Sequence, residues 1–245
     1  MINTYNESSL HHSLKVYYAS LYDGKMEVEK HGHIYDVFTG DDHVIEIQNL
    51  NLSKLMPKIS DSLQKGLKVT LVHTICVEKV IENYTKDGSF ISKRKSSVKA
   101  NIYDLFRELT GLYPVLLEKG FELHVLEISM SEIRTKLDEP SQSQNNRRRF
   151  KKDYIKTNKK LNSVLKTWIF KKPEDYTNLI PEDLRENFCA KDLRLRLQEN
   201  KETKRNADRN AHLLIWVLYR RNLIDFTEKR NRSNYYKVIP SPKTP

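Results

Sequence analysis

Cysteine is scarce in this chain of 245 residues: there are two, Cys76 and Cys189, far apart and in no CxxC pair. That excludes a disulfide-framed secreted module and argues against a zinc site, so a reduced, cytoplasmic protein is expected. Glycine is also sparse, at seven residues, and neither GxGxxG nor a P-loop occurs. Dinucleotide and P-loop nucleotide chemistry therefore lack their usual backbone cradles. HExxH and GxSxG are missing too, which removes the common metalloprotease and serine-hydrolase signatures. No apolar run approaches the ~18 residues of a membrane helix. The start, MINTYNESSL, has no basic stretch followed by an apolar one and does not read as a signal peptide. No repeat stands out.

What is present is charge. Hydrophobic residues make up 38% and charged residues 31%, a soluble globular composition with enough chain for one large domain or two small ones. The formal net charge is +11, unevenly spread: residues 1–139 balance at −3 and residues 140–245 at +14. A mildly acidic half joined to a strongly basic half points to a polyanion partner for the second.

The stretch Lys25 to Gln48 organises the first half. Ile34 to Phe38 and Val44 to Gln48 alternate in polarity and flank Thr39-Gly40-Asp41-Asp42, a hairpin signal. If Phe38 faces Val44, Asp36 lies across from Glu46. A two-residue loop at His31-Gly32 likewise sets Glu27 across from Asp36. Three carboxylates then share one face of a three-stranded sheet. Facing like charges destabilise a ladder unless a cation lies between them, and clustered carboxylate oxygens suit Mg²⁺ or Mn²⁺. The competing reading is a solvated sheet face.

Leu52, Leu55, Ile59 and Leu63 place a helix over residues 51–64, and Val69 to Ile75 reads as an apolar strand. Hairpin, helix and strand in this order resemble the core of the PD-(D/E)XK, or restriction-endonuclease-like, nuclease superfamily. Its signature is an acid, a spacer, then Glu/Asp-x-Lys. Asp36 matches the first acid, Glu46 the second, and Gln48 stands where the lysine is usual. The resemblance implies a mixed α/β sheet flanked by helices and Mg²⁺- or Mn²⁺-dependent phosphodiester hydrolysis, with Asp36, Glu46 and Gln48 catalytic and Glu27, Asp36 and Glu46 at the metal. Lys58 or Lys54, on the next helix, would supply the missing charge. A looser similarity to prokaryotic members runs through SLHHSLKVYYA, VIEIQ and KRKSSVK with DLFREL.

Ser9 to Tyr18 reads as a first helix with His11 and Lys15 on one face; the resemblance packs this helix near the active site and implies that they touch a phosphate, and the competing reading is a solvated face. A hairpin turns at Lys86-Asp87-Gly88, and Lys93, Arg94 and Lys95 follow as a candidate phosphate clamp. A helix is expected from Asn101 or Asp104 to Leu117 and a strand from Phe121 to Ile128. Residues 138–146 read as a linker, and eight Lys/Arg follow between Arg147 and Lys160, among them Arg148, Arg149, Lys151 and Lys152. Such a run displaces counterions from a phosphate backbone and lacks the apolar face a membrane would need.

The tail, 161–245, resembles a winged helix. Helices are expected at Leu161–Phe170, from Phe188, and from about Thr203 to Arg221, then strands at Ile224–Glu228 and Tyr235–Ile239. Lys204, Arg205, Arg209 and Asn210 would read bases from the third helix, and Arg230 and Arg232 would sit in the wing. The sequence thus suggests residues 1–137 as a nuclease-like domain, 138–160 as a basic arm and 161–245 as a DNA-binding domain. The expected partner is duplex DNA, and a homodimer is compatible with the resemblance. The rival readings are a catalytically inactive DNA-binding regulator on the same scaffold, and an RNA nuclease.

Overall fold

A computed structural model describes residues 8–142 and 149–240. Its frame is a seven-stranded mixed sheet: β1 (Lys25–Lys30), β2 (His33–Thr39), β3 (His43–Ile47), β4 (Lys68–Tyr84), β5 (Phe90–Lys95), β6 (Phe121–Ser141) and β7 (Lys152–Phe170). The order is β1-β2-β3-β4-β6-β7, with β5 paired to β4. β3, β4 and β6 run parallel, and the remaining pairs are antiparallel.

The first hairpin turns where expected. His31 and Gly32 both have positive φ, 53° and 80°, the requirement of a tight turn that matches strand twist. Between β3 and β4 the chain crosses over through a 3₁₀ turn (Leu52–Leu55) and α2 (Met56–Gln64), as a parallel pair demands.

Helices cover both faces of the sheet. α1 (Ser9–Leu21) starts on a Ser8 cap, whose side chain accepts from the His11 amide. Its Leu10, Leu14 and Tyr18 bury against Val37, Ile45, Val72 and Ile128. Truncating Leu14, which is fully buried, would cost about 2–5 kcal/mol. On the opposite face Ile59, Leu105 and Phe106 pack with Val44, Leu71 and Leu123.

The C-terminal unit comprises α4 (Pro173–Thr177), β8 (Phe188–Cys189), α5 (Ala190–Glu199), α6 (Ala207–Arg220), β9 (Ile224–Arg230) and β10 (Ser233–Val238), with α3 (Phe106–Leu109) packed near α6. Its three strands lie in the order β8-β10-β9. Leu193, Leu214 and Leu218 join the same apolar cluster as Leu71 and Phe106, so the two units share one core.

Several sequence expectations are corrected. Residues 161–170 are strand, not helix, and complete β7. The expected linker begins inside β6, which extends to Ser141, and the basic arm from Lys152 onward lies in β7. Residues 143–148 fall outside the described part. The helix expected up to Leu117 is broken into a 3₁₀ turn, α3 and a second 3₁₀ turn. Gly111 packs so close to Ser53 that a Cβ would lie 2.5 Å from the Ser53 Cβ, and Pro114 removes a helix donor. No helix among the described residues is long and apolar enough to cross a membrane.

Candidate active site

The expected register is present: Phe38 pairs with Val44, and Glu29 with Ile34. The β2–β3 ladder stops at Val37 opposite Ile45, and side chains take over from backbone there. The Ile47 amide donates to Asp36 Oδ2 at 2.8 Å, and the Asp36 amide points to Glu46 Oε1 at 3.4 Å. Glu27 occupies the register position opposite Asp36, between the Val28–Tyr35 and Met26–Val37 pairs, with φ of 55°. A left-handed non-glycine inside a strand is locally strained, a condition that concentrates at functional positions.

Cations reach this point from both faces. From α1, His11 Nε2 and Lys15 Nζ each lie 3.3 Å from Asp36 Oδ1, and Lys15 also donates to Glu27 Oε1 at 3.1 Å. From α2, Lys58 Nζ lies 2.5 Å from both Glu46 Oε1 and the Ile34 carbonyl, and 4.6 Å from the centre of the Tyr35 ring. His11 and Lys15, expected to face phosphate, are thus ligands of the acids. Lys58 joins the cluster, whereas Lys54 is exposed. Gln48 turns its amide to the Leu50 carbonyl at 2.7 Å.

The two central acids differ in protonation. Burial pushes Asp36 up, but hydrogen bonds from His11 and the Ile47 amide, with the charges of His11 and Lys15, outweigh it and hold the carboxyl below its usual range. Burial and then the Asp36 charge push Glu46 up to about 7, against the pull of Lys58. A carboxyl poised near neutrality in a cluster of charged groups is a functional candidate on physical grounds.

Among the described residues no three His, Cys, Asp or Glu side chains are grouped to hold a metal. Glu27, expected as a third ligand, is drawn to Lys15 instead. Asp36 and Glu46 remain as neighbouring hard oxygen donors. A pair of carboxylates is a donor set that Mg²⁺ or Mn²⁺ accepts when further oxygens complete the shell.

The residues expected at nucleic acid are scattered. Lys93, Arg94 and Lys95 are exposed on β5, with Lys93 3.3 Å from Glu82. Arg149 and Lys151 are exposed, Lys152 bonds the Tyr154 hydroxyl, and Arg147 and Arg148 lie outside the described residues. Arg205 and Arg209, expected to read bases, bond within the chain: Arg205 to the Lys99 carbonyl at 2.8 Å, Arg209 to Asp104 Oδ1 at 2.9 Å. Asp104 Oδ1 also accepts from Asn206 and from Asn210, likewise expected at bases but buried, a carboxylate clamp that draws the start of α6 onto the sheet unit. Lys204 is exposed. Arg230 pairs with Glu228, while Arg232 lines a cavity of about 530 Å³ with Lys191, Arg194 and Trp216.

Sequence reasoning missed the Asp104 clamp and the buried Glu132, which is ringed by three cations. The alternation of Ser131-Glu-Ile-Arg-Thr-Lys136 was the available signal for the second.

A family model described as a domain of unknown function, DUF8091, matches residues 8–171. A protein of Treponema pallidum (strain Nichols), described as uncharacterized, is 30% identical over 239 residues, covering 98% of this chain and 88% of its own length. No solved structure matches.

Proposed function

The chain belongs to the DUF8091 family, and we propose that it is a metal-dependent nuclease acting on DNA through the Asp36–Glu46 pair. One observation carries the reading: the Glu46 carboxylate is approached by the Asp36 amide where the β2–β3 ladder ends, and a lysine from α2 contacts that same carboxylate. We read this as resembling the acid-spacer-acid arrangement of PD-(D/E)XK nucleases, with Lys58 standing for the lysine that is absent at Gln48.

In this reading Asp36 and Glu46 hold Mg²⁺ or Mn²⁺. Such an ion lowers the pKa of a water and stabilises negative charge developing on a phosphate. The other roles fall to the chain. His11 and Lys15 keep Asp36 ionised. Glu46, which burial and the Asp36 charge push up to about 7, would hold the ion only in its ionised form. Lys58 orients Glu46 and, lying beside it, stabilises charge on a phosphate oxygen.

The order α4–β8–α5–α6–β9–β10, with β8 paired to β10, supports a winged-helix reading of the C-terminal unit. Its Arg205 and Arg209 dock on the sheet unit, so DNA would meet it through the β9–β10 turn at Arg232.

One observation favours a binding-only scaffold instead: each acid already has a cation partner within the chain. Incubating the protein with plasmid and with single-stranded DNA and RNA, plus Mg²⁺, Mn²⁺ or EDTA, separates the readings. Metal-dependent cleavage lost in Asp36→Asn supports the nuclease. No cleavage of any substrate, with no Mg²⁺ or Mn²⁺ uptake that depends on Asp36, leaves the binding-only scaffold.

A further inference from the structure

Beyond Cys76 the sheet narrows to a four-stranded ribbon, β5-β4-β6-β7. Residues paired across strands share a face, and successive residues alternate. One face is marked by Glu132, which is 1% exposed. Lys79 at 3.8 Å, Arg134 at 2.5 Å and Lys156 at 2.8 Å surround its carboxylate. Arg94, opposite Ile81, Lys136, opposite Tyr154, and Lys159, opposite Glu132, belong to the same face by register. Six cations therefore stand over one buried acid. That acid offsets their mutual repulsion and fixes three of them in place. The reverse face carries Lys93, Lys95 and Lys160 by the same register, with Lys93 drawn to Glu82.

The six-cation face is continuous with the carboxylates. α1 packs on this side: its Leu10, Leu14 and Tyr18 cluster with Leu126, Ile128 and Met130, which alternate in phase with Glu132 along β6, and its Ser9 exchanges two hydrogen bonds with Asn158, the neighbour of Lys159 in β7, at 3.1 and 2.7 Å. The same helical turn carries His11, which reaches Asp36. A polyanion lying along the ribbon is thereby led over the first turn of α1 to Asp36.

We infer that this face of the ribbon, Lys79, Arg94, Arg134, Lys136, Lys156 and Lys159, is the surface that holds duplex DNA for the carboxylate site. The inference rests on the nuclease reading for its substrate, and it adds the grip. Three strand spacings separate β5 from β7, about 14 Å, comparable with the ~12 Å width of a major groove. Cations at the two edges thus face the phosphate rows on either side. Single strands are held instead by open aromatic platforms. Tyr154 on this face is covered by the Arg134 guanidinium at 4.1 Å and by Lys152 at 5.1 Å.

The test measures binding of the full chain to a labelled 20-base-pair duplex by fluorescence anisotropy in EDTA, across a salt series. Arg94→Glu/Lys136→Glu changes two exposed residues that bear no bond to Glu132 or the carboxylates. It should weaken binding at least tenfold and flatten the dependence of log K on log salt. Lys95→Glu/Lys160→Glu makes the same charge change on the reverse face and should cost less than threefold. Circular dichroism and the melting midpoint verify folding, and Arg94→Ala/Lys136→Ala gives the same ranking if the reversed charges unfold the ribbon. Equal losses from the two faces, or none from the first, overturn the inference. Equal or tighter binding of the corresponding single strand overturns the choice of duplex. If wild type cleaves DNA while the Arg94/Lys136 variant binds normally, the grip is wrong and the nuclease stands. If the face-specific loss appears but wild type never cleaves, the grip stands and the nuclease falls.

Discussion

Asp36 and Ile47 are joined by a side chain where the sheet would otherwise use its backbone: the Ile47 amide gives its hydrogen to Asp36 Oδ2 at 2.8 Å. The acid is thereby a structural member of the β2–β3 junction as well as the first candidate metal ligand. Asp36→Asn keeps an acceptor for that amide, whereas Asp36→Ala leaves it without one at a cost of about 1–3 kcal/mol. We expect Asn to abolish metal-dependent cleavage with little change in melting midpoint, and Ala to lower both. Cleavage assays beside thermal melts separate the two effects.

Glu46 makes metal uptake depend on pH. Its carboxyl titrates near 7, and only the ionised form binds a cation, so below that pH proton and metal compete. Mg²⁺ affinity should rise about tenfold per pH unit up to neutrality, then level off. Calorimetry in buffers of different ionisation enthalpy should detect close to one proton released per ion at pH 6, and almost none in Glu46→Gln.

The same carboxyl shapes stability in the absence of metal. A folded-state pKa above the unfolded one means the native state binds the proton more tightly. Stability from Glu46 is therefore fully present below about 4.5 and is lost as pH rises through about 7. At ~1.4 kcal/mol per pKa unit the loss is on the order of 3 kcal/mol. Glu46→Gln should remove this fall and be the more stable protein at pH 8. Urea melts at pH 5 and pH 8 decide.

Lys58 and Lys54 lie one helical turn apart and should behave differently. Lys58→Ala removes the cation beside Glu46 and should reduce cleavage at least a hundredfold. Lys54→Ala, on the exposed side, should change it less than threefold. Gln48→Lys should be tolerated without rescuing Lys58→Ala unless the new ammonium leaves the Leu50 carbonyl. Single-turnover rates on a defined duplex give the comparison.

Asp104 holds the C-terminal unit through Asn206, Arg209 and Asn210. Asp104→Ala leaves three donors without their shared acceptor and should cost about 2–4 kcal/mol. It should also speed proteolysis between the units. Arg205→Ala and Arg209→Ala should leave sequence discrimination on DNA unchanged, as measured with a panel of duplexes, because neither side chain is directed at bases.

The hairpins were legible because turn chemistry and alternation agreed: His31-Gly32 set one register and Thr39 to Asp42 the other, and both are found. Lys58 was legible as one of two candidates, with Lys54, because a helical segment follows β3; which of the two reaches Glu46 was not. β7 was not. Its ladder with β6 slips between Glu127 and Ile128, between Ser129 and Met130, and between Ile133 and Arg134. Each slip shifts the phase of the two-residue period, so Leu161, Leu165 and Trp168 fall at helical spacing while lying in a strand. Arg205 and Arg209 were misread for another reason. Nothing local indicates that a carboxylate about a hundred positions earlier, Asp104, will claim a guanidinium.

β4 holds one more residue than β6 between core and ribbon: Cys76 faces Ile128, Glu78 faces Ser129, and Val77 has no opposite number. An added residue of this kind bends a strand and increases its twist. Every pair on either side would survive its removal, since the next residue already faces the next. Val77 therefore sets the heading of the ribbon and nothing about its composition. Two relatives with identical charges but different lengths at this one position would aim the same grip in different directions.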